Sequence, residues 1–169
     1  MFERLKESLA ERYIKYRLKS WYKKQQMYDF SNEPQKINHA LIILPANPLP
    51  DNVLQQLYKD LYQTFASIKI STFERSNLRK QDCNWLNIPN NSYLGGYFAH
   101  ERMDMVIDLN ESQDIISVYL TAMSNAPLRI NLNRGPFDFV YNLYIDTSTK
   151  DKMADRVSVI SNYLKQLHH

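Results

Sequence analysis

Glycine is scarce in this chain of 169 residues, with three in all, and cysteine is scarcer, with Cys83 alone. Few glycines leave no room for the glycine-rich loops that cradle phosphates, because those loops need backbone that only glycine adopts and amides that reach the anion. A single cysteine excludes an internal disulfide, a CxxC redox pair and a multi-cysteine zinc site. Cys83 also lacks a neighbouring histidine that could activate it as a nucleophile. Of the four histidines, His39 and His100 stand far apart in sequence and His168-His169 end the chain, so no metal site is expected. No GxSxG, HExxH, Walker A or EF-hand pattern occurs, and no cofactor is expected. No apolar run reaches the roughly 18 residues of a membrane span, and the chain opens on charges instead of a signal-peptide core. These absences predict a soluble, cytoplasmic protein.

Hydrophobic residues make up 44% and charged residues 23%, with twelve tyrosines, which is the composition of a globular domain. The net charge of +3 conceals a division. Met1 to Lys24 carries eight Lys or Arg against three Glu, and the rest of the chain is slightly acidic. Local positive charge of this kind suits an anionic partner.

Residues 1–28 read as a basic amphipathic helix, an arm free of Gly and Pro, on which Phe2, Leu5, Leu9, Tyr13 and Tyr16 share one stripe. Residues 29–35 are polar and hold Pro34, a linker by composition. Residues 36–167 read as an α/β Rossmann-like domain. His39 to Leu44 is an unbroken apolar run, the pattern of a strand buried on both faces. Further strands are predicted at Ile68 to Phe73, Met103 to Leu109, Leu128 to Leu132 and Asn142 to Ile145. Helices are predicted at Asp51 to Ala66, Ile115 to Ser124 and Thr149 to Leu167. Strands alternating with helices imply a mainly parallel sheet of about five strands with helices on both faces. Ile42, Ile43, Val106, Ile107 and Ile130 should form its core. The stretch from Ser76 to His100 reads as loop with one short extra element.

Ligands of such sheets bind beyond the carboxyl ends of the strands. After the first strand stand three prolines and then Asp51, a candidate base that equally serves as a helix cap. Proline supplies no amide for a phosphate. Asp104 and Asp108, four apart and so on one face of a strand, lie with Glu111 where a metal or sugar could be held. Capping of the next helix by Asp108 or Asn110 is the simpler reading. Asn110 with Asn133, Arg134 and Gly135 forms a possible ligand loop, in which the fork of Arg134 suits a phosphate or carboxylate.

Met105-Val106-Ile107-Asp108-Leu109-Asn110, with Tyr119 through Ile130, resembles a stretch in the N-terminal half of the heptosyltransferase-like glycosyltransferases. Leu49-Pro50-Asp51 stands where that family has a Gly-Asp turn bearing its catalytic base, so the resemblance implicates Asp51. Pro50 replaces the glycine, Asn131 replaces another, and no donor-binding domain follows, which implies a single-domain relative without transferase activity. Over most of its length the chain also resembles a small bacterial family that brings no known activity. The resemblance rests on the Phe2-Glu3-Arg4-Leu5-Lys6 opening, Asp82-Cys83-Asn84-Trp85, the Asp104 to Asn110 strand and the closing Tyr-Leu-Lys-Gln-Leu helix.

The function expected first is non-catalytic docking on an anionic partner through the N-terminal helix. RNA or a ribosomal particle suits Arg12, Lys15, Arg17, Lys19, Lys23 and Lys24 interleaved with Trp21 and Tyr22, since cations neutralise phosphates while aromatics stack on bases. The same helix suits an anionic membrane surface or self-association. A residual sugar or nucleotide-sugar protein centred on Asp51, Asp108 and Arg134 is the reading from another class.

Overall fold

The computed structural model describes residues 2–22, 37–98 and 102–168. Five strands form one wholly parallel sheet: β1 (His39–Ile43), β2 (Lys69–Phe73), β3 (Met105–Asp108), β4 (Leu128–Asn131) and β5 (Leu143–Tyr144). Their order is β2-β1-β3-β4-β5. This is a doubly wound arrangement whose connections reverse direction between β1 and β3. The expected α/β class and parallel sheet are therefore present, and every residue of β1, β3 and β4 is buried, as their apolar runs require.

Alternation along the strands sends side chains to two layers. Ala40, Ile42, Met105, Ile107 and Ile130 pack under α2 (Asp51–Thr64) and α5 (Met153–His168), where Val53, Leu57 and Leu61 meet Val157, Ile160 and Leu164. Lys165 of α5 reaches Asp60 of α2 at 3.0 Å. Leu41, Ile43 and Val106 face the other layer, formed by α1 (Phe2–Tyr22), α3 (Asn91–Phe98) and α4 (Ile115–Met123). Helix α3 lies in the stretch read from sequence as loop with one short extra element. Its two glycines and Pro89 just before it hide an eight-residue helix, with short helical turns at Arg75–Asn77 and Lys80–Asp82 ahead of it.

Helix α1 packs on α4 and on the short turn Asp138–Val140. The stripe it buries is Ala10, Ile14 and Leu18, spaced four apart. Leu5, Leu9, Tyr13 and Tyr16, which share a stripe by spacing, are all exposed, so the packed stripe is a different one. The larger side chains outweigh Ala10 in any reading by hydrophobicity, yet a helix packed against a crowded neighbour needs a small residue at the approach. The linker at 29–35, Lys23 and Lys24 lie outside the described residues, as do the side chains of Trp21 and Tyr22.

Glycine scarcity has a local consequence. Among the described residues the left-handed backbone positions fall on Ser67, Asn87 and Asn125, and no glycine occupies one. Asn125 follows the last turn of α4, where asparagine is the usual substitute for glycine.

Candidate functional site

Strand β3 ends on Asp108, which is fully buried at the carboxyl edge of the sheet. Its Oδ2 accepts a hydrogen bond from the Tyr141 hydroxyl at 2.6 Å. Its Oδ1 accepts from the Asn110 side-chain amide at 2.7 Å and the Asn110 backbone N–H at 3.1 Å. Burial pushes the Asp108 carboxyl up to about 6, against the lowering effect of those bonds. Tyr141, buried beside it, is raised well above the usual phenol range by the same loss of water and by the carboxylate.

The bonds continue outward. Asn110 donates to the Ser117 hydroxyl at 3.0 Å, and Asn133 donates to the Asn110 carbonyl at 2.7 Å. Gln113 donates to the Asn133 carbonyl and to Asp138, while its Oε1 accepts from the Phe137 N–H. A Cβ on Gly135 would stand 2.5 Å from that Oε1, so the glycine allows the close approach of Gln113. Asn110, Asn133 and Gly135 thus meet as the sequence suggested. Gln113 and Asp138 link Asn133 to Gly135, Tyr141 closes on Asp108, and the amides are committed to holding the loops together.

The remaining carboxylates are dispersed. Asp104 precedes β3, and its Oδ2 accepts from the backbone of Asn38 and His39 at 2.9 and 3.1 Å. It therefore marks the amino edge, about 13 Å of strand from Asp108, and shares no site with it. Glu111 pairs with Arg156 at 3.4 Å. The cap of α4 is Asp114, whose carboxylate accepts from the Ile116 and Ser117 N–H groups and pairs with Arg75 at 2.6 Å. Neither Asp108 nor Asn110 performs that role, because α4 begins at Ile115 and the position before it is held by Asp114. Asp51 is exposed and is the first residue of α2, whose cap position is Pro50. It lines an apolar cavity of about 410 Å³ with Leu44, Pro48 and Leu49, which Asp108 does not reach. Burial pushes the Cys83 thiol up, away from a reactive thiolate. Among the described residues no group of three or more His, Cys, Asp and Glu is placed to hold a metal ion.

Arg134 is set apart from the closed network. Its side chain is 70% exposed, its guanidinium lies 4.4 Å from the centre of the Tyr144 ring, and it stands 3.8 Å from Asp138 Oδ2. Beneath it is a cavity of about 180 Å³ that also touches Asn131, Tyr141 and Leu143. Asn131 is 4% exposed and its Oδ1 has no hydrogen-bond partner. Arg129, by contrast, is buried and donates to the carbonyls of Val140 and Ala126, a structural role.

The other surface of note is the outer face of α1. Leu5, at 58%, and Tyr16, at 83%, are exposed together with Leu9 and Tyr13. At helical spacing Arg12 and Lys19 lie along one edge of this stripe, and both are exposed. Glu7 and Glu11 are on the other side, lining a cavity of about 600 Å³ between α1 and the N-terminus of α4. Lys15 and Arg17 turn inward: Lys15 pairs with Glu11 and sits 5.5 Å over Phe137, and Arg17 lies over Tyr119 and bonds the Tyr13 hydroxyl. Lys6 reaches Asn87 at 3.3 Å, in the loop that exposes Trp85. No described helix is long and apolar enough to cross a membrane.

A family model described as a family of unknown function (DUF6913) matches residues 10–167, a span that opens on Ala10 of the buried stripe of α1. No curated protein and no solved structure matches the chain.

Proposed function

The chain belongs to that family, DUF6913, which carries no assigned activity, and we propose that the protein is a non-catalytic binding protein that docks through the outer face of α1 on an anionic lipid surface. The observation that carries this reading is the exposed stripe Leu5, Leu9, Tyr13 and Tyr16 bordered by Arg12 and Lys19, on a helix whose opposite face is anchored in the core. Four large apolar side chains in water on one helix face are costly, roughly 25 cal/mol for each Å² that a partner could cover. Leucines insert below the headgroups, tyrosines sit at their level, and cations meet the phosphates. Exposed Trp85, on the loop held by Lys6, adds an interfacial anchor near the same end of the helix.

RNA draws less support from this arrangement. Leucine does not stack on bases, and two of the cations expected to meet phosphates, Lys15 and Arg17, are engaged against the domain. A catalytic reading centred on Asp51 and Asp108 draws less still, since the two are placed apart and Asp108 is enclosed by its own hydrogen bonds.

Co-sedimentation of the full chain with vesicles tests the proposal. Vesicles of phosphatidylglycerol in phosphatidylcholine should bind it and phosphatidylcholine alone should not. Leu5→Ser with Leu9→Ser should abolish binding without changing the melt. Arg12→Gln and Lys19→Gln should each weaken binding about fivefold, the equivalent of about 1 kcal/mol for a basic group at an anionic surface. Retention on single-stranded RNA without vesicle binding would overturn the lipid reading. So would a concentration-dependent dimer that Leu9→Ser dissolves.

A further inference from the structure

We infer that the outer edge of β2 is an interface for a second copy of this chain, the two β2 strands pairing antiparallel about Ser71 into one continuous sheet. The two edges of the sheet differ. β5 presents two residues, Leu143 and Tyr144. β2 presents five, Lys69-Ile70-Ser71-Thr72-Phe73, in unbroken register with β1, without the proline or bulge that blunts an edge and with a charge only at its start. The Lys69 N–H donates to the Asn38 carbonyl and the Phe73 carbonyl accepts from the Leu44 N–H. Lys69, Ser71 and Phe73 therefore turn their backbone groups toward β1, and Ile70 and Thr72 turn theirs outward. Among the described residues this outward row is met by the Tyr97 hydroxyl alone, which donates to the Thr72 carbonyl at 2.8 Å and leaves that oxygen a second lone pair. Thr72 is exposed, and Ile70 and Ser71 are half-buried.

The outward groups match a copy of themselves. With Ser71 opposite Ser71 of the second copy, Ile70 and Thr72 of each chain exchange N–H···O bonds with Thr72 and Ile70 of the other, so every outward group of the strand is used. Lys69 then stands opposite Phe73 of the second copy, and like charges do not meet. The α2 side of this edge is aromatic: Tyr58 lies against the Thr72 side chain, and Tyr62, one helical turn further, is 55% exposed. A lone peptide strand would answer the backbone row and leave Tyr62 in water, whereas a second copy brings its own α2 beside this one and covers both. Opposed residues of an antiparallel pair point to one face, so Ile70 faces the α2 and α5 layer in each copy and α1 lies on the other face in each. The dimer thus turns both exposed α1 stripes to the same side, where one flat surface meets them together. Only this last consequence rests on the lipid reading.

Sedimentation velocity of the full chain over a concentration series should show a monomer–dimer equilibrium. Thr72→Pro removes an outward N–H that the ladder to β1 does not use, so the variant should keep a cooperative melt and weaken the dimer at least about tenfold, through the loss of one bond from each copy. In a Cys83→Ser background, Ser71→Cys should cross-link the copies in oxidised glutathione, because opposed residues that exchange no hydrogen bond stand about 4.5 Å apart at Cα, within disulfide reach. Leu9→Ser, on α1, should leave the dimer intact. The inference is overturned if the chain stays monomeric throughout the series, if Thr72→Pro dimerises like the parent, or if Ser71→Cys forms no cross-link. It is likewise overturned if Leu9→Ser dissolves the dimer. A dimer with all the expected responses in a protein that binds no vesicles would remove the lipid reading and uphold this one.

Discussion

The carboxyl edge around Asp108 and the outer face of α1 are opposites in how they treat water. Around Asp108 a charge is taken inside and nearly every polar atom is answered by a neighbour. On α1 Leu5, Leu9, Tyr13 and Tyr16 are left exposed among the described residues, with Arg17 reaching Tyr13. The first arrangement explains itself, since a buried carboxylate requires those bonds for folding alone. The second explains nothing about folding, because Ala10, Ile14 and Leu18 already anchor the helix. Function is better sought where the structure leaves a cost uncompensated than where it has answered one.

The largest effect expected from this contrast lies within α1 itself. Leu18→Ala removes a fully buried side chain and should cost about 2–5 kcal/mol in a urea melt. Leu9→Ser, on the outer face, should stay within about 0.5 kcal/mol of the parent. If the two variants melt alike, the two-faced description of α1 fails.

That description was only half legible in the sequence. The outer stripe Leu5, Leu9, Tyr13 and Tyr16 is conspicuous because its residues are large. The inner stripe starts at Ala10 and is invisible to a search for bulk. The sheet was legible for the opposite reason: HALII and MVID bury both faces, so unbroken apolar runs mark them however the strands are ordered. Strand order was not legible, since it depends on crossovers that leave no pattern in any one strand. At the carboxyl edge the sequence marked Asn110, Asn133 and Gly135 through their turn chemistry. It did not mark Tyr141, 33 residues from Asp108, because a contact across the fold has no spacing to read. Asn131 could have been noticed as a polar residue ending an apolar strand, the one signal for the orphaned acceptor.

A smaller effect sharpens the other half of the comparison. The Asp108 carboxyl titrates near 6 in the folded protein and near 3.8 when unfolded. Below about 3.8 both states hold the proton and the contribution of this group is fully present. As pH rises toward 6 the unfolded state releases its proton first, so this contribution to stability falls and then levels off. Asp108→Asn should flatten that segment of the stability profile measured by urea unfolding between these limits. Tyr141→Phe removes a bond that favours the charged form, so the falling segment should extend above pH 6, with a loss of about 1–3 kcal/mol at neutral pH from the carboxylate left under-satisfied. A profile that is parallel for all three proteins would mean that Asp108 does not titrate in this range.

The smallest effects separate two aspartates that open helices. Asp114 caps α4 with bonds to two backbone N–H groups, and Asp114→Ala should cost about 1 kcal/mol in thermal or urea melts. Part of that value belongs to the Arg75 pair, which Arg75→Gln measures separately and which should account for less than about 1 kcal/mol because the arginine is half exposed. Asp51 opens α2 without any side-chain cap bond, and its favourable interaction with the helix dipole is worth a few tenths of a kcal/mol at most in so exposed a position. Asp51→Ala should therefore melt with the parent, and neither protein should turn over a nucleotide sugar. The resemblance that points to Asp51 would return to consideration if the parent hydrolysed or transferred such a donor and Asp51→Ala did not. A carboxylate that neither folding nor binding requires would then have to be explained by chemistry at the rim of the sheet.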